Sequence, residues 1–202
     1  MTTSKRPSAL PMKISPFVFA AAALLAASAS QSQEDKNVAQ NSGGIAGMCA
    51  RTKCQHDLHV TLKDKNGATF DRTFETFPAT VQPFGFVVVA GQTVYIEADI
   101  VDGKLANLTA VDKVSDPGKT ITATFEQLDN RGMMLTVKNP YHQPLKFSMG
   151  IMPLEQGTLY KTSSCAIGPG IFAFETWPYP IFQVVLGRGQ LLADDSKLIC
   201  TE

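Results

Sequence analysis

From residue 48 onward the chain sets apolar against polar residues at every second position, and helical spacing is missing. Successive side chains of an extended strand point to opposite faces, so period two allows one buried face and one wet face. Leu58, Val60 and Leu62 alternate with His59, Thr61 and Lys63. Asn66-Gly67 then suits the positive φ angles of a tight hairpin turn, and Phe70 and Phe74 carry the return strand. Residues 86–90 (FVVVA) form an unbroken apolar run, parted by Gly91-Gln92 from Val94, Ile96, Ala98 and Ile100. That spacing reads as a second hairpin. Asp102-Gly103 turns into residues 105–111, and Asp116-Pro117-Gly118 leads to Ile121, Ala123 and Phe125. The intervening Thr120, Thr122 and Thr124 are expected on a wet face. Residues 129–132 turn into Met133, Leu135 and Val137, and Pro144 precedes Leu145, Phe147, Met149 and Ile151. Residues 171–177 and 181–186 supply the last strands.

About nine or ten short strands with regular turns predict an all-β fold, a two-sheet immunoglobulin-like β-sandwich with a small closed β-barrel as the alternative. No internal repeat or second boundary interrupts residues 48–202, which read as one domain. Within it, residues 135–147 (LTVKNPYHQPLKF) resemble the strand, Asn-Pro turn, strand unit of exported immunoglobulin-like domains. The resemblance bears on fold class and implies no activity. Its physical basis is local: Pro140 ends ladder pairing, Asn139 suits a turn, and Pro144 opens the returning strand where a missing donor does least harm.

The N-terminus reads as an address. Lys5, Arg6 and Lys13 precede an apolar run at residues 17–27 (FVFAAAALLAA), followed by Ser28 and Ala29. A basic start, an apolar stretch of about 7 to 15 residues and small residues at the cut describe a secretory signal peptide. Residues 1–29 are therefore expected to be removed, with Met12 a second candidate start. The run is shorter than the roughly 20 apolar residues of a spanning helix, so no membrane span is expected after cleavage. Residues 30–47, rich in Gln, Asn, Ser and Gly, read as a disordered polar tether.

Four cysteines, Cys49, Cys54, Cys165 and Cys200, all follow the cut. An even count in an exported chain implies disulfides, and three connectivities are open. Pairing Cys49 with Cys54 and Cys165 with Cys200 is favoured; a crossed pairing that staples the two ends of the domain is the alternative.

Charge excludes one class of partner. Lysine plus arginine and aspartate plus glutamate both number 18, so no basic excess exists to hold a phosphate backbone, and no nucleic acid is expected. With 44% hydrophobic and 18% charged residues, the chain is neither disordered overall nor a multi-span membrane protein.

Candidate chemistry is sparse. Cys49, Cys54, His56 and His59 carry sulfur and imidazole donors suited to zinc or copper, but alternation sets His56 and His59 on opposite faces of one strand. Met133, Met134, His142, Met149 and Met152 include soft donors suited to copper; Met133 and Met149 fall on core positions, leaving His142 and Met152 as metal candidates. Ser163-Ser164-Cys165 offers nucleophiles without a Gly-x-Ser-x-Gly elbow. Asp194-Asp195 reads as a solvated pair, and Gly187-Arg188-Gly189 lacks the strand-to-helix setting of a phosphate loop. Residues 172–182 hold the one Trp with three Phe and one Tyr. Prolines 178 and 180 keep part of this segment out of a central strand, so Phe174, Trp177 and Tyr179 are the candidate binding surface, with Trp177 as core plug the competing reading. The functional expectation is an exported, non-enzymatic binding or accessory protein of the periplasm, or one secreted, without a cofactor and with a protein or small molecule as partner. A periplasmic copper or zinc binder using His and Met donors, and an exported hydrolase, are the alternatives.

Overall fold

The alternation becomes twelve strands: β1 (Gln55–Lys63), β2 (Thr69–Phe77), β3 (Val81–Gln82), β4 (Gly85–Val89), β5 (Thr93–Val101), β6 (Lys104–Val111), β7 (Thr120–Gln127), β8 (Met133–Lys138), β9 (Leu145–Pro153), β10 (Tyr160–Thr162), β11 (Phe172–Trp177) and β12 (Ile181–Leu191). The computed structural model describes residues 49, 53–129, 131–154, 156–193 and 200. The predicted signal peptide, residues 1–29, the tether, residues 30–47, and Asp194-Asp195 lie outside them. Every element among the described residues is a strand, and the fold is an all-β sandwich with a two-stranded and a ten-stranded sheet. No helix among the described residues is long and apolar enough to cross a membrane.

β1 and β2 form the hairpin expected around Asn66-Gly67. The Asp64 carboxylate accepts the N–H groups of Asn66 and Ala68, and Gly67 takes φ 89°, so the turn is closed by its own residues. Leu58, Val60 and Leu62 are buried while His59, Thr61 and Lys63 are exposed. From β2, Phe70, Phe74 and Phe77 pack around Phe182 of β12, with ring centroids 5.6–6.3 Å apart. Gln127, at the end of β7, donates to the Lys63 carbonyl and accepts the Lys63 N–H, doing for the hairpin what a neighbouring strand would do.

The ten-stranded sheet runs β10-β9-β12-β6-β5-β7-β8-β11, with β4 and then β3 also attached to β12. β9 lines one edge of β12 along its length, while the other edge carries β4 at residues 183–187 and then β6 at Gln190. Between these partners β12 spends one residue more than β9, a bulge at 187–190 with Arg188 at φ 50°. A bulge bends and twists its strand, and this one falls where β12 exchanges β4 for β6. Gly189 is required there, since a Cβ would sit 2.5 Å from Leu105 and 2.9 Å from Phe147. The buried faces of β4, β5, β7, β8 and β12 supply core residues that include Phe86, Ile96, Ile121, Phe125, Leu135 and Leu186.

Two expectations are corrected. β4 and β5 are not a hairpin: β4 pairs with β3 and β12, and β5 with β6 and β7. Both edges of each strand are taken, so Gly91-Gln92 is a crossover, tied to Phe125 by two backbone hydrogen bonds. The threonine side of β7 is not wet throughout. Thr120 is buried, its hydroxyl donating to the Asp116 carbonyl at 2.8 Å, and Thr122 and Thr124 are half-buried under neighbours.

The Asn139-Pro140 corner is built inward. Asn139 is fully buried; its Nδ2 donates to the carbonyls of Gln143, Ile167 and Gly168, and its Oδ1 accepts the Tyr141 N–H. The disulfides follow the favoured pairing, Cys49–Cys54 and Cys165–Cys200.

Candidate binding surface

β11 reads Phe-Ala-Phe-Glu-Thr-Trp, and strand parity sorts it. Phe172, Phe174 and Thr176 face outward and are exposed, whereas Trp177 faces in and is buried, its ring edge-on to Phe125 at 6.1 Å. Of the three residues expected on one surface, Trp177 therefore belongs to the core, and its ring is not available to a partner. Phe174 is 64% exposed and lies 6.4 Å from Phe172 in a near-parallel stack, with the Lys138 ammonium 5.9 Å above the Phe172 ring. Such a cation adds a favourable contact with the ring face. Tyr179 is exposed beyond the end of β11 but lines a different cleft of about 450 Å³ with Leu154, Tyr160 and Pro180. Phe172 and Lys138 were absent from the sequence-based surface. Parity alone separates 172 and 174 from 177.

Register extends this surface across the layer. Phe174 pairs with Thr136, Thr136 with Thr124 and Thr124 with Thr93, so one aromatic and three threonines stand side by side on four strands. The parallel row is Phe172, Lys138, Thr122 and Tyr95. Thr93 and Thr124 join hydroxyls at 3.0 Å. β11 itself pairs only with β8, so its outer backbone edge has no strand partner among the described residues.

The metal candidates do not converge. His59 Nε2 meets Asp71 Oδ1 at 2.6 Å, an exposed pair, and His56 Nδ1 donates to the Glu75 carbonyl at 3.3 Å. His142 is exposed just before β9 and Met152 is half-buried near its far end, so the two stand at opposite ends of one strand. Met133 and Met149 are buried as expected. Among the described residues no three His, Cys, Asp or Glu side chains gather as a metal site. Among the nucleophile candidates, the Ser164 hydroxyl is buried and donates to the Phe147 carbonyl at 2.6 Å, and Cys165 is a disulfide half. Gly187-Arg188-Gly189 is the β12 bulge.

One buried phenol stands out. Tyr141 follows the Asn139 corner, and its hydroxyl has no hydrogen-bond partner among the described residues. Burial, then the charge of Glu97, push its pKa up to about 12.

Comparison of the chain with protein-family models, curated proteins and solved structures gave no match.

Proposed function

We propose that this chain is an exported, non-enzymatic binding or accessory protein of the bacterial periplasm, an immunoglobulin-like sandwich that takes an extended segment of a partner protein along β11. The observation that carries this reading is an edge strand with no strand partner on one side among the described residues, bearing two stacked and exposed phenylalanines. Sheet edges that stay monomeric are usually short, bulged, or guarded by charge. β11 has six regular pairs with β8 and no bulge, which suits strand addition, where main-chain hydrogen bonds give affinity and alternate side chains give specificity. Export is supported by the basic start, apolar run and small residues of 1–29 and by two disulfides in a small domain. The immunoglobulin-like character is supported by the strand, Asn-Pro corner, strand unit at 135–147.

The test is cross-linking in intact cells followed by osmotic-shock release. Wild-type protein is expected in the shock fluid with a partner attached. The double variant Phe172→Ala/Phe174→Ala should keep its circular dichroism spectrum and lose at least tenfold in partner affinity, about 1.4 kcal/mol or more. Equal capture by both proteins, or retention in the cytoplasm, overturns the proposal.

A further inference from the structure

A second surface, on β9, β10 and β12, shares no residue with β11. Its floor is glycine. Gly150 of β9 pairs with Val185 of β12, and Gly187 of β12 pairs with Ser148 and Gly85. Glycine within a strand weakens it and marks a place where something approaches the backbone closely. Here Leu159 lies over Gly150, 3.3 Å from where a Cβ would stand, and the Phe84 ring and carbonyl lie over Gly187. Both side chains are about half exposed, Leu159 at 48% and Phe84 at 52%. Between them a groove of about 330 Å³ has Val185, Met149 and Gly150 on its walls and floor.

The groove changes character along its length. It shares Ser148, Met149, Lys161 and Arg188 with an adjoining cleft of about 210 Å³, where Thr162, Ser164 and Gln190 add polar groups and Lys146 donates to the Ser164 carbonyl. Lys161 and Arg188 are exposed and stand at the junction. Neither is in an ion pair among the described residues, and no carboxylate among those residues lines either half. Arg188 is placed by the bulge: its backbone N–H donates to the Phe84 carbonyl at 3.0 Å, which ties the cation to the residue that roofs Gly187.

An apolar trough leading to two cations and several hydroxyls matches a molecule with an alkyl chain at one end and an anion at the other. We infer that this groove binds a single-chain anionic lipid, with the chain between Phe84 and Leu159 against Val185 and the acidic head between Lys161 and Arg188. Methylene burial supplies the affinity, and the two cations select the head.

The experiment is isothermal titration of the mature protein with laurate below its micelle concentration, alongside dodecyl maltoside and inorganic phosphate. Laurate is expected to bind one to one, dodecyl maltoside at least tenfold more weakly, and phosphate not measurably. Lys161→Gln/Arg188→Gln, on exposed side chains, should weaken laurate at least tenfold with an unchanged circular dichroism spectrum. Phe84→Ala/Leu159→Ala should weaken laurate and dodecyl maltoside alike. Failure of laurate to bind overturns the inference, as does equal affinity for the neutral detergent or saturation by phosphate alone. Because Phe172 and Phe174 take no part, the β11 double variant should bind laurate normally, which keeps this result separate from the partner test.

Discussion

Asn139 shows how much one side chain can organise. Its amide donates to three carbonyls in two separate loops and accepts one N–H, from a side chain that is itself fully buried. In Asn139→Ala the Ile167 and Gly168 carbonyls keep the N–H groups of Leu145 and Ile171, while the Gln143 carbonyl and the Tyr141 N–H lose their partner, at about 1–3 kcal/mol for each buried group. A loss of roughly 3 kcal/mol is expected, read as a lower urea midpoint with the slope unchanged; a loss under about 1 kcal/mol would mean that the corner forms without it. Tyr141 gives the pH counterpart. The folded phenol holds its proton up to about pH 12 while an unfolded one releases it near about 10, so this contribution is complete below about pH 10 and is lost as pH rises toward 12. Tyr141→Phe should abolish that alkaline decline and change stability at pH 7 by less than about 1 kcal/mol, because the hydroxyl makes no bond among the described residues. Denaturant titrations at pH 7 and pH 11 measure both. The Asn-Pro turn was legible from the sequence, since Asn and Pro act locally. That the asparagine is the buried hub of Ile167 and Gly168 as well was not, because those partners lie 28 and 29 residues away.

At the scale of elements, β12 decides the architecture. Its bulge passes the strand from β4 to β6, and Gly189 leaves room for Leu105 and Phe147 to close over it. Gly189→Ala is expected to cost about 1–3 kcal/mol by overpacking, seen as a lower thermal midpoint; an unchanged midpoint would show that Leu105 moves aside freely. Period two and turn residues located most strands, because both are properties of neighbours in sequence. They failed at Gly91-Gln92, where the turn chemistry suits a hairpin but the hydrogen bonds go elsewhere. The runs flanking it could pair in either way, and the choice fell to the partners already on each edge. The same parity that located β11 also splits its aromatics, placing Trp177 inside and Phe174 outside. Grouping the rings by composition alone put them on one surface.

For the whole molecule, the two disulfides act unequally. Cys49–Cys54 closes a six-residue loop, and Cys165–Cys200, 35 apart in sequence, closes a much longer one. Chain entropy gives about 2.2 kcal/mol for the first and about 3.8 kcal/mol for the second. Cys165→Ser/Cys200→Ser should therefore lower stability more than Cys49→Ser/Cys54→Ser, compared by urea unfolding, and the reverse order would show that strain or denatured-state structure outweighs loop size. The sequence alone determined that the chain is all-β, where most turns fall, and which faces of β1, β8 and β9 are buried, and it favoured one of three cysteine pairings without deciding it. Each of these follows from spacing along the chain, which fixes side-chain direction and loop length. Only the tertiary structure decided that β12 carries both β4 and β6 on one edge, that Trp177 is core, and that Gly150, Gly187, Lys161 and Arg188 share one groove. Those juxtapositions join segments distant in sequence, and their geometry is set by which strand edges remain unpaired once the core has closed.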